Sequence, residues 1–269
     1  MKKLLAVFGA VAIALVGASM FAAFEAHVVN VTARIENALG VSTGAINFGT
    51  VFPQEHLNKP LDVQLSDSFM REDRVDDVEY FIRQKPKCAI TSQNGTVADL
   101  ANTATGHVIP TLDDPLTLEV DESKGGTAYT IDCGPTPREL TTGESWGVLP
   151  SLCEYISKEE DGTPGEGNDE TMPSFHTPWT VSGGQVNWND TDGRLAKSEQ
   201  DIVDNWNIDL AVPCFGGNCA QDWADFVADI NPNAGDPNQW TQPLANEHMI
   251  FGCDLWVEVS GVSEAPIED

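Results

Sequence analysis

From Leu61 to Phe69 the apolar residues Leu61, Val63, Leu65 and Phe69 alternate with Asp62, Gln64, Ser66 and Ser68. Successive side chains of a strand point to opposite faces, so this spacing suits an extended chain with one face buried and the other wet. The pattern returns at Val78, Tyr80 and Ile82, and again at Trp206, Ile208, Leu210 and Val212. It closes the chain at Met249, Phe251, Cys253, Leu255, Val257 and Val259. Further extended runs are expected at Val29–Ile35, Ile46–Phe52, Leu116–Val120 and Ala128–Cys133, the last two as a hairpin around Gly125-Gly126. The 23 glycines and 16 prolines supply many turns. One helix is expected, over Ala220–Ile230, where Trp223, Phe226, Val227 and Ile230 recur at three- and four-residue spacing before Asn231-Pro232 stops it. The chain therefore reads as mainly β, an antiparallel β-sandwich with long loop insertions and one short helix near 220–230.

The N-terminus runs from Met1-Lys2-Lys3 into an apolar stretch, Leu4–Phe24. That composition predicts an export segment over residues 1–26, with Ala22, Ala23 and Ala26 as small residues near a cut. The stretch also reaches the ~20 residues that span a bilayer, so an uncleaved anchor is the alternative. The sandwich is expected over residues 27–261, followed by a polar tail at 262–269. Membrane contact is expected only through the leader, which makes the protein secreted or displayed at the cell surface.

Six cysteines, Cys88, Cys133, Cys153, Cys214, Cys219 and Cys253, fit that destination as disulfide partners. One pair is local: Gly216-Gly217 between Cys214 and Cys219 allows the chain to turn back, so this pair is expected to join. The pairing of the other four stays open. A zinc knuckle lacks a second close Cys pair or a nearby His.

Fourteen basic residues stand against 42 acidic ones, a net charge of −28. Such a field repels phosphate backbones, so nucleic acid is not an expected partner. Calcium is the best ligand candidate, and no other cofactor is expected. Asp190, Asp192 and Gly193, read here as part of a turn, imitate a fragment of a calcium loop, but Trp188 stands where its first carboxylate belongs. Glu159, Glu160 and Asp161 add carboxylates from an acidic Gly/Pro-rich stretch, for which a solvated surface loop is the plainer reading. The five histidines are scattered, and no HExxH, G-x-S-x-G or P-loop appears, so the chain is not expected to be an enzyme. Trp206 and Trp256 offer either core packing or an aromatic platform for carbohydrate.

Taken together, the leader entering a strand, the run Ile46-Asn47-Phe48-Gly49-Thr50-Val51-Phe52-Pro53-Gln54-Glu55, the Leu61–Phe69 alternation and the closing Phe251–Val259 strand resemble the secreted TasA/camelysin-like proteins. The likeness covers residues 24–90 and 248–260. It implies a jelly-roll-like sandwich whose N-terminal segment, here Ala26–Ile35, completes the sheet of the next subunit, inserting Val29, Val31, Ala33 and Ile35. The partner is then a second copy, in a homopolymeric surface or matrix filament. The competing arrangement returns the same strand to its own sheet. A monomeric module binding carbohydrate or calcium is the second functional expectation. A secreted metallopeptidase is the third, because some of these relatives are described as such.

Overall fold

A computed structural model describes residues 34–42, 44–92, 97–110, 129–160 and 171–264. The strands are β1 (Leu39–Val41), β2 (His56–Leu65), β3 (Val75–Ser92), β4 (Val97–Thr105), β5 (His107–Pro110), β6 (Tyr129–Asp132) and β7 (Glu144–Val148). They continue as β8 (Glu159–Glu160), β9 (Trp179–Ser182), β10 (Gln185–Trp188), β11 (Thr191–Ala196), β12 (Val203–Ala211) and β13 (Cys253–Glu264). Among the described residues two α-helices, α1 (Asp67–Met70) and α2 (Trp223–Ile230), accompany them.

The fold is an antiparallel, mainly β sandwich. One sheet has the order β1-β2-β12-β8, and the other is built on β3, with β11 and β13 along its first half. The second half of β3 pairs with β4 and β7, while β5–β6 and β9–β10 form separate two-stranded ribbons. Leu61, Val63 and Leu65 of β2 and Trp206, Ile208 and Leu210 of β12 meet Val78, Tyr80 and Ile82 of β3 in one buried core. Tyr80 and Trp206 pack edge to face across it, and Trp206 Nε1 donates to Tyr80 Oη at 2.8 Å. The Tyr80 hydroxyl in turn donates to buried Asp204. A smaller core joins Val108, Cys153, Trp179 and Val181.

α2 occupies the expected place and buries Trp223 and Val227. Several boundaries differ from the sequence reading. The strand begun at Leu61 ends at Leu65, because Ser66 caps α1 by accepting from Phe69 N at 3.1 Å; Phe69 is thus a buried helical residue. The alternation seen at Val78, Tyr80 and Ile82 extends in both directions, and β3 runs through Pro86 to Ser92. The missing N–H falls where the strand exchanges partners, and Pro86 O accepts from Gly106 N. β6 pairs with β5, whereas 116–120 lies outside the described residues. Ile46–Phe52 forms no strand, whereas Leu39–Val41, where no strand was expected, forms β1. The supposed turn at Asn189–Gly193 opens β11, whose Gly193 lies opposite Tyr80. Finally, β13 runs to Glu264, past the expected boundary at 261.

The described residues from Glu36 onward form one unit.

Candidate functional site

The wet face of the β3 sheet carries its densest chemistry. Period-two alternation along β3 places Phe81, Arg83, Lys85 and Lys87 on one face. In register, β13 brings Glu258 opposite Phe81, Trp256 opposite Arg83 and Asp254 opposite Lys85. Arg83 bonds Asp190 at 2.8 Å and Glu258 at 3.4 Å, and its guanidinium carbon lies 4.3 Å from the Phe81 ring centre. Lys87 pairs with Asp254, which also accepts from Thr105 Oγ1 at 3.0 Å. The Lys85 ammonium sits 3.4 Å from the Trp256 ring centre and 5.8 Å from that of Trp188. Burial of Lys85 pushes its pKa down, which Glu258 partly opposes.

This ladder was not singled out in the sequence, although the alternation of Phe81, Arg83, Lys85 and Lys87 was there to be read. It answers the question about the tryptophans. Trp206 is core, while Trp256 is 38% exposed and gives one ring face to Lys85. β13 itself lies at the rim of its sheet and, among the described residues, pairs with β3 alone.

The expected calcium carboxylates do not gather. Asp190 is committed to Arg83, and Asp192 is exposed on β11 opposite Phe81. Glu159 and Glu160 lie on β8 in the other sheet, opposite Asn207 and Trp206, and Asp161 falls outside the described residues. Burial and the nearby Asp209 push the pKa of Glu159 up, with His56 opposing. Among the described residues no three His, Cys, Asp or Glu side chains are placed to hold a metal ion.

All six cysteines are paired. Cys214 joins Cys219, and the four left open join as Cys88–Cys133 and Cys153–Cys253. Of the expected donor residues, Val29, Val31 and Ala33 lie outside the described residues. Ile35 precedes β1 in no strand and is 93% exposed.

Two buried polar groups complete the inventory. Lys158, fully buried just before the stretch read as a surface loop, extends Nζ toward Ile82 O at 3.4 Å and Asn189 O at 3.3 Å. Burial lowers its pKa to about 7, against the attraction of Asp190. His176 is buried beside Gln84, with Nε2 2.6 Å from Gln84 Oε1 and Nδ1 2.8 Å from Pro173 O.

Comparison with known protein families, with curated proteins and with solved structures finds no match.

Proposed function

We propose that the chain is an exported, non-enzymatic structural subunit of a cell-surface or matrix filament, assembled when its N-terminal segment adds to the sheet of the next copy. The observation that carries this reading is β13, a 12-residue strand at a sheet rim. The N–H and C=O groups along such a rim are a template for another strand, giving affinity while alternate side chains give register. Val259 and Val262 are exposed on it, as is part of Trp256. The donor is Ala26–Ile35, offering Val29, Val31, Ala33 and Ile35. Burying each of the larger side chains contributes about 1–2 kcal/mol. Three disulfides suit an oxidising exterior, and the resemblance to TasA/camelysin-like proteins points the same way.

Negative-stain microscopy tests this. Protein beginning after the leader should form fibres, and protein lacking the residues before Ile35 should not. A truncated chain that still polymerises overturns donor-strand assembly.

A second reading, a monomeric module for carbohydrate, draws on the exposed part of Trp256. It predicts that insoluble polysaccharide retains the wild type and releases Trp256→Ala.

A further inference from the structure

We infer that His176 is a proton-operated latch: it is held as an imidazolium, and its charge fastens the strained turn Pro173–His176 to the centre of β3.

The protonation state follows from the hydrogen-bond partners. Gln84 is wholly buried, and its Nε2 donates to Cys153 O at 2.8 Å and to Ile156 O at 3.1 Å. Both partners are main-chain carbonyls, which only accept. Turning the amide over would set its oxygen against two oxygens, so its orientation is fixed. Oε1 therefore faces His176 Nε2 as an acceptor, 2.6 Å away. The other ring nitrogen faces a second obligate acceptor, Pro173 O, at 2.8 Å. A neutral imidazole has one N–H and would set a lone pair against one of these oxygens; the imidazolium donates to both.

What the latch holds is a turn that is strained on its own. Phe175 has a φ of 61°, a left-handed conformation that is unfavourable for a residue with a Cβ. Its ring is fully buried within 5.6–6.2 Å of the ring centres of Tyr155, Trp223, Phe226 and Trp240. Asn231 Nδ2 donates to its carbonyl at 3.0 Å, and the amides of Phe175 and His176 both donate to Glu154 O. His176 joins this turn to β3, and through Gln84 to the residues around the Cys153–Cys253 bridge.

Among the described residues, titratable groups lie on the elements around the turn. The 153–156 segment carries Glu154, whose negative charge favours the imidazolium. Lys158, which reaches Ile82 O one inward position from Gln84, opposes it. Asp209 on β12 meets the turn through its carbonyl, which accepts from Ser174 Oγ at 3.4 Å. Lys85 projects from the other face of β3.

The sign is fixed. A histidine charged in the folded state has its pKa raised above the unfolded value of about 6.5. The stability it contributes is complete below that value and is lost as pH rises through the folded pKa. The latch thus holds in acid and lets go in alkali.

Nitrogen NMR of the full exported protein, with His176 assigned through the backbone, tests this without a mutation. At pH 7.5 both ring nitrogens of His176 should show protonated shifts; a neutral tautomer there overturns the latch. His176→Gln supplies the second arm. Subtracting the variant's Tm-against-pH curve from that of the wild type, measured over pH 6–9, should leave a difference that falls with pH. Parallel curves overturn the proposal. If the variant does not fold, the nitrogen shifts decide alone.

Discussion

Gly193 has no side chain because Tyr80 occupies the space one would need. A Cβ there would lie 2.4 Å from Tyr80 Cζ and 2.6 Å from its hydroxyl. The ring cannot step aside, since it is fully buried and its hydroxyl is held between Asp204 and Trp206. Gly193→Ala should therefore lower unfolding free energy by about 2–3 kcal/mol in urea titration, combining overpacking with a disturbed buried hydrogen bond. A change within a few tenths would show that the ring is free to move. Lys158 makes a pH-dependent demand. Its folded pKa of about 7 lies below the ordinary 10.5, so between those values the unfolded chain holds a proton that the folded chain has released. Stability then rises with pH across that window, and the penalty is complete below it. Lys158→Met should flatten the rise when chemical denaturation is repeated from pH 7 to 10; an unchanged slope would assign it to another group. The trend is opposite to that of His176, so single variants separate the two.

Elements were legible in the sequence where one rule governed them. β2, β12 and α2 each bury one face against one neighbour, so Val63, Trp206 and Val227 fall on simple periods. Where tertiary contact overrides local preference, the reading failed. Asn189-Asp190-Thr191-Asp192-Gly193 has the composition of a turn, yet β11 is a strand because its glycine admits the Tyr80 ring. Pro86 looks like a terminator, yet β3 passes through it by changing partners there. Ser66 was the overlooked signal, a capping residue inside an otherwise regular alternation. Of the chemistry, the Arg83–Lys85–Lys87 ladder was visible as a polar face, but no local pattern could place Trp188 beside it. The His176 contact joins residues 92 positions apart. Among the covalent links, sequence separation sets the expected ranking. Cys153–Cys253 spans 100 residues and Cys214–Cys219 only 5. Chain-entropy reasoning gives about 4–5 kcal/mol for the first and about 2 kcal/mol for the second. Paired Ser substitutions followed by guanidinium unfolding should reproduce that order; equal losses would show that loop closure is not the dominant contribution.

At the scale of the whole molecule, a net charge of −28 sets copies against one another. The Debye length falls from about 30 Å at 0.01 M salt to about 8 Å at physiological ionic strength. The proposed fibre should therefore assemble faster at the higher salt, as followed by light scattering, and Val259→Pro on the β13 rim should suppress assembly at both. Assembly that slows with salt would argue for attraction between unlike charges.

The bridge at the start of β13 also gives the fold a mechanical stop. A pull on the C-terminus peels this strand from β3 one residue after another until the tension reaches Cys253. There it passes through the covalent link to Cys153, and the intervening chain is shielded from load. Under force the first extension is limited to the residues after Cys253. A reducing agent should lengthen that step by the contour of the loop between the two cysteines, a change that single-molecule stretching resolves directly.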